Sequence, residues 1–209
     1  SPSSAASDVY KRQQVDPPKL EFGMDWLCRG VHSVLDFGCG NGSLLFACAY
    51  RGVERLVGID LSREAVALAR YAGEDLPQCQ FLWGSVEKLM ELPDASFDGI
   101  VLSNILDNLK PADSRTVLQE TIRLLQPEGK VLIKLNPYLT REQIEAWGVR
   151  TIEGDLLDDG LLLWNRTTEA WQEELQRDFR TVRFEDVYFS EYDQHNRMFL
   201  CETLQNANK

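Results

Sequence analysis

Positive charge, histidine, paired cysteines and long apolar runs are all scarce in this sequence, and each scarcity removes a class of function. Lys and Arg number 22 against 33 Asp and Glu, a net charge of −11. A surface that acidic repels phosphate backbones, and no local basic patch interrupts it, so no nucleic-acid partner is expected. No apolar stretch approaches the ~18 residues that a membrane-spanning helix requires, so no membrane partner is expected either. The five cysteines, Cys28, Cys39, Cys48, Cys79 and Cys201, include no C-x-x-C pair, and only His32 and His195 could assist them. That set suits neither a disulfide framework nor a metal site, and it points to reduced thiols in a cytoplasmic protein. A chain of 209 residues buries a full core as one domain without such staples.

Residues 1–14 are small and polar, without the apolar segment of a secretory signal. They read as a foreign or disordered arm resembling a translated cloning adapter, which would mean that the natural amino terminus is missing. The arm is taken to residue 18 and the domain as 19–209.

Beyond it, short strands and helices alternate. Pro17 and Pro18 open a helix over 19–30, and 31–37 is an apolar run suited to a strand covered on both faces. A helix over 43–51, a strand over 55–59 and a helix capped by Ser62 follow. Strands are predicted over 80–83, 97–103 and 130–135, with a helix over 111–125. This alternation implies a doubly wound α/β sheet with helices on both faces. The pattern then changes. Thr140 and Gln143 form a capping box, and Asp158-Asp159-Gly160 marks a hairpin between 151–157 and 161–166. A helix over 167–178 precedes two antiparallel strands, 181–189 and 197–203, joined by a polar loop that contains His195.

The chemistry is concentrated in Asp36-Phe37-Gly38-Cys39-Gly40-Asn41-Gly42, where a strand enters a glycine turn and then a helix. Glycines there let the chain bend sharply and let a ligand approach without Cβ clashes. Cys39 reads as a small filler rather than a nucleophile. Asp60, at the tip of the second strand and twenty residues after Gly40, can accept both hydroxyls of a ribose. A nicotinamide site would want G-x-G-x-x-G, but Ser43 stands where its third glycine belongs. The pattern D-x-G-x-G-x-G instead suits S-adenosylmethionine, with Asp36 organising the loop beside the cationic amino-acid moiety.

Residues 31–135 resemble the class I S-adenosylmethionine-dependent methyltransferases. The likeness extends to Trp83–Leu89 after strand three, Leu92–Asp98 before strand four, and Leu125–Leu132 into strand five. It implies a seven-stranded sheet of order 3-2-1-4-5-7-6 with strand 7 antiparallel, and S-adenosyl-L-methionine at the switch point between strands one and four. The implied cofactor residues are Asp36, Phe37, Gly38, Cys39, Gly40, Gly42, Asp60, Leu61, Ser85, Val86, Ser103 and Asn104. Two departures from the family stand out. Ser85 occupies a position where relatives often carry an acidic adenine acceptor. The run Ser103–Leu109 after strand four lacks the histidine that many relatives have there.

Methyl transfer from a sulfonium relies on alignment and desolvation, with a base needed only if the nucleophile must lose a proton. Asp107 is the candidate base, against a reading as a helix cap or surface carboxylate. Tyr138 is the candidate for lining the acceptor pocket. The segment 136–178, with Trp147, Leu161–Leu163, Trp164 and Trp171, reads as a substrate lid or as simple extra packing. The expected function is methyl transfer to a small-molecule acceptor. The alternatives are a protein acceptor or a cofactor-binding module without turnover.

Overall fold

The computed structural model describes residues 17–204; most of the arm expected over 1–18 lies outside them. The elements are α1 (Pro18–Cys28), β1 (Ser33–Phe37), α2 (Ser43–Tyr50), β2 (Arg55–Asp60), α3 (Arg63–Ala72), β3 (Cys79–Trp83), α4 (Val86–Met90) and β4 (Phe97–Ser103). After a 3-10 turn (Leu106–Asn108) come α5 (Pro111–Leu124), β5 (Leu125–Leu135), α6 (Arg141–Trp147), β6 (Arg150–Glu153), β7 (Leu156–Asp158), β8 (Leu162–Trp164), α7 (Thr168–Leu175), β9 (Phe179–Phe189) and β10 (Gln194–Thr203). Seven strands form one sheet in the order β3-β2-β1-β4-β5-β10-β9, and β6-β7-β8 form a second, small sheet. Strands β1 to β5 run parallel, while β10 pairs antiparallel to both β5 and β9. This is the doubly wound order expected, with β9 and β10 in the places of strands six and seven.

Alternation along the central strands builds the two layers. Val34, Leu56, Val101 and Leu132 face α1, α2 and α3, while Leu35, Val57, Ile100 and Val131 face α4, α5 and α7. Each strand is covered on both faces, which explains the continuous apolar runs. Asp98 ties the sheet at its amino edge, accepting hydrogen bonds from the backbone N–H groups of His32 at 2.9 Å and Ser33 at 2.7 Å. Helix starts follow their caps. Ser62 Oγ accepts from Ala65 N at 3.2 Å, and the Thr140–Gln143 capping box forms in both directions.

Several expectations change. The run 151–157 is two short strands, because Gly154 turns the chain at a φ of 53°. His195 belongs to β10 rather than to the preceding loop. Trp164 and Trp171 are not part of a lid surface: their rings pack edge to face, 5.1 Å apart, inside the main core. Burial of these two indoles anchors the appended segment to the sheet. Trp147 and Leu161 do remain exposed.

Candidate active site

Both parts of the site lie at the carboxyl edge of the sheet, where the β1–α2, β2–α3, β4 and β5 connections emerge. The glycine turn is held from β2: Gly38 N and Cys39 N donate to Ile59 O at 2.8 and 3.0 Å. The three glycines do different work. A Cβ on Gly42, whose φ is 85°, would lie 2.8 Å from the Phe81 ring, so this position is a packing requirement rather than a ligand approach. A Cβ on Gly38 would meet Ile105 at 3.0 Å. Only Gly40, at a φ of 54°, faces open space, so it alone of the three offers bare backbone to a ligand.

Asp60 fixes that turn. Its Oδ2 accepts from Gly40 N at 2.7 Å and its Oδ1 from Ser62 N at 2.8 Å. A carboxylate has about four lone-pair positions, so two stay available. Leu61 is exposed beside it, and its carbonyl accepts from the Trp83 indole at 2.9 Å. Ser85 precedes α4 with Val86 as its first residue, and its backbone N donates to Glu87 Oε1 at 2.8 Å. Phe37 and Cys39 are buried, and burial pushes the Cys39 thiol up, so it is a filler and not a nucleophile.

Asp36 is fully buried, and its Oδ1 receives no hydrogen bond from any described residue. Burial, with a further push from Asp60, raises its carboxyl to about 8. A carboxyl raised in the folded state favours folding below the ordinary range of about 4, and that contribution is lost as pH rises toward 8. Asp36→Asn removes the titration. The ligand-free variant therefore keeps a flatter stability curve than the parent between pH 5 and 8, measured by urea unfolding at both ends. Parallel curves for the two proteins would refute this assignment.

A part-buried polar chain runs beside the glycine turn from Lys134 to Asn108. Ile105 packs on Gly38, and the neighbouring Asn104, at a φ of 53°, receives a short hydrogen bond from Lys134 Nζ. Asn104 Nδ2 donates to Asn136 Oδ1 at 2.6 Å, and Asn136 Nδ2 donates to Asn108 Oδ1 at 2.9 Å. Asp107 Oδ2 accepts from Asn136 N at 2.7 Å, and Arg197 Nε donates to Asn136 O at 3.0 Å. Burial lowers Lys134 to about 8, while Asp107 acts against that shift. Burial likewise pushes Asp107 up, opposed by Asn136 and Arg197.

Asn136 and Asn108 form the floor of a 390 Å³ cavity walled by Tyr138, Trp147, Leu161 and His195. Asp107 is not a surface carboxylate; it is fully buried, with Asn136 between it and the cavity. Tyr138 lines the cavity. The residues not foreseen from sequence are Lys134, Asn136, Arg197 and the pocket position of His195. Among the described residues no group of three or more His, Cys, Asp or Glu side chains could hold a metal, and all five cysteines are free. No described helix is long and apolar enough to cross a membrane.

A mostly parallel sheet with this strand order, a glycine turn between β1 and α2, and a carboxylate at the tip of β2 are the architecture of the class I, Rossmann-like methyltransferase domains. The family model described as a methyltransferase domain matches residues 34–129. A ubiquinone biosynthesis O-methyltransferase from Xanthomonas oryzae pv. oryzae is 32% identical over 120 residues, 57% of this chain and 49% of that protein. A ribosomal protein L11 methyltransferase from Burkholderia cenocepacia is 37% identical over 97 residues, 44% of this chain and 30% of that protein. The chain thus spans half or less of the length of these curated relatives. The crystal structure of Burkholderia thailandensis 1,6-didemethyltoxoflavin-N1-methyltransferase, with bound 1,6-didemethyltoxoflavin and S-adenosylhomocysteine, superposes with a TM-score of 0.67. It is 20% identical, and the match covers 97% of this chain and 85% of that one, which shows a common fold.

Proposed function

We propose that the chain binds S-adenosyl-L-methionine and transfers its methyl group to a small-molecule acceptor in the cytoplasm. The observation that carries this reading is the Gly40 turn, open on its ligand side and pinned by the Asp60 carboxylate at 2.7 Å. The residues present fit the cofactor. Asp60 has two unused acceptor positions for the ribose hydroxyls, and Gly40 offers backbone without a Cβ. Asp36, whose Oδ1 receives no hydrogen bond from a described residue, is the carboxyl we assign to organising the loop beside the cationic amino-acid moiety. Leu61, Ser85 and Val86 are the residues we assign to the adenine side. The likeness to methyltransferases whose names state small-molecule acceptors supports the same choice.

When bound, the cofactor supplies a methyl group already activated on a sulfonium. The protein's share is to orient the acceptor, exclude water and hold the nucleophile in line. Asn104 stands beside the turn, Asn136 at the cavity floor, and Tyr138 and Trp147 form apolar walls. Asp107 keeps Asn136 in place and so acts as a positioning residue. The L11 methyltransferase likeness favours a second reading, a protein acceptor docked over the same cavity.

Titration calorimetry with S-adenosylmethionine tests the binding half, with NADH as the control. Saturable heat with the first and none with the second is expected, and absence of binding by the intact protein overturns the reading. Release of S-adenosylhomocysteine in pools of small hydroxyl and amine compounds, run beside basic peptides, separates the two acceptors. Tight binding with no release from any pool would identify a binding module instead.

A further inference from the structure

We propose that His195 is the general base for a phenolic hydroxyl acceptor, with Asp186 as its positioning residue; this rests on the methyltransferase reading and extends it to the class of substrate. His195 stands near the start of β10 in the wall of the 390 Å³ cavity. Its Nδ1 lies 2.6 Å from Asp186 Oδ1 on the neighbouring strand. A carboxylate at Nδ1 selects the neutral tautomer protonated there and leaves the Nε2 lone pair for a substrate proton. Nε2 has no hydrogen-bond partner among the described residues.

The surroundings favour that role. Tyr188 stacks on the imidazole with ring centroids 4.8 Å apart, and its hydroxyl donates to Asp193 Oδ1 at 3.0 Å. Asp193 and Asp159 also line the cavity, and Lys19 Nζ is engaged by the Asp186 carbonyl at 2.8 Å. Of these carboxylates Asp186, on β9, is the one hydrogen-bonded to the imidazole. Flat apolar walls from Pro137, Tyr138, Trp147 and Leu161, over the amide floor of Asn108 and Asn136, fit a planar ring that carries a polar hydroxyl.

The acceptor O–H bond breaks and an N–H bond forms at Nε2. An oxygen lone pair becomes the new bond to the methyl carbon, and the electron pair of the old methyl–sulfur bond remains on sulfur.

The chain has only two histidines, so imidazole nitrogen NMR reads His195 with His32 as an internal control. His32 lies at the amino edge of the sheet beside Glu54, away from the cavity. Added phenol is expected to shift the His195 signals saturably, with His32 unmoved and toluene without that effect. Asp186→Asn is expected to move the free imidazole toward the tautomer protonated on Nε2 and to weaken the phenol response. With the methyl donor present, His195→Gln lowers kcat for phenol by about a hundredfold or more with KM within about threefold, and the acidic fall of the pH profile disappears. The proposal fails if phenol moves both histidines alike or neither, if toluene matches phenol, or if His195→Gln leaves kcat unchanged. The phenol titration needs no methyl donor, so its failure is separable from a failure to bind S-adenosylmethionine.

Discussion

Asp60→Ala weakens S-adenosylmethionine binding by about a hundredfold or more in titration calorimetry while leaving the fold intact. The expectation rests on three interactions that share one carboxylate. Two are internal: hydrogen bonds from Gly40 N at 2.7 Å and Ser62 N at 2.8 Å hold the glycine turn and the start of α3. A hydrogen bond to a charged acceptor contributes about 1.5–3 kcal/mol, roughly twice a neutral one. The third is the pair of acceptor positions left for the ribose hydroxyls. Removing the side chain thus frees the turn and deletes the acceptors together, and a tenfold change corresponds to about 1.4 kcal/mol. Asp60→Asn is informative beside it. An amide of the same shape retains one acceptor and puts a donor against a donor, either at Gly40 N or at Ser62 N. It is expected to lose less than alanine but still more than about tenfold. Far-ultraviolet circular dichroism of both variants should match the parent, because Asp60 sits at a strand tip outside the core. Binding by Asp60→Ala within threefold of the parent would remove the glycine turn from its assigned role.

This part of the site is legible from sequence because it is local. Asp36, Gly38, Gly40 and Gly42 follow one another through a single turn, and Asp60 ends the next strand, so spacing alone brings them together. The sheet order is legible for a related reason: continuous apolar runs alternate with capped helices, and right-handed crossovers leave few arrangements. The acceptor side resists such reading. Lys134, Asn136 and Arg197 appear in sequence as ordinary strand-end polar residues, and only the pairing of β10 with β5, Arg197 against Leu135, brings them beside Asp107. His195 reads as a solvated loop residue until β9 and β10 extend far enough to place it against Asp186 and the cavity. Trp164 and Trp171 mislead in the other direction. Large apolar side chains in an appended segment fit a lid and a core equally well in sequence, and tertiary packing decides for the core. Gly154 is a further case, since one glycine inside an apolar run gives little warning that it splits a hairpin arm into two strands.

The second large effect is on stability. Asp107→Ala is expected to cost about 3 kcal/mol or more in urea unfolding, although the residue lies only one side chain away from the cavity. Its carboxyl is fully buried, and Oδ2 accepts from both the backbone N of Asn136 at 2.7 Å and its Nδ2 at 3.2 Å. Arg197 and Lys134 are both largely buried, and the Asp107 carboxylate opposes the effect of burial on each. Alanine leaves the Asn136 N–H without its acceptor and the two cations without that carboxylate. Breaking one side of such an arrangement typically costs about 3–5 kcal/mol. Asp107→Asn keeps the shape and an acceptor oxygen, so its loss should be smaller. The cation is the real source of the penalty if Arg197→Met restores part of the stability lost in Asp107→Ala, and a double-mutant cycle measures that coupling. Additive losses would show that Asp107 acts on Asn136 alone. A loss below 1 kcal/mol in the single alanine variant would mean that the part-buried chain from Lys134 to Asn108 does not depend on its carboxylate. In either case the Asn136 amide also forms the cavity floor, so the same substitution should weaken phenol binding while leaving S-adenosylmethionine affinity within about threefold. That split is expected because Asn136 bonds to Asp107, Asn108 and Asn104, whereas the turn at Gly40 is held separately by Asp60.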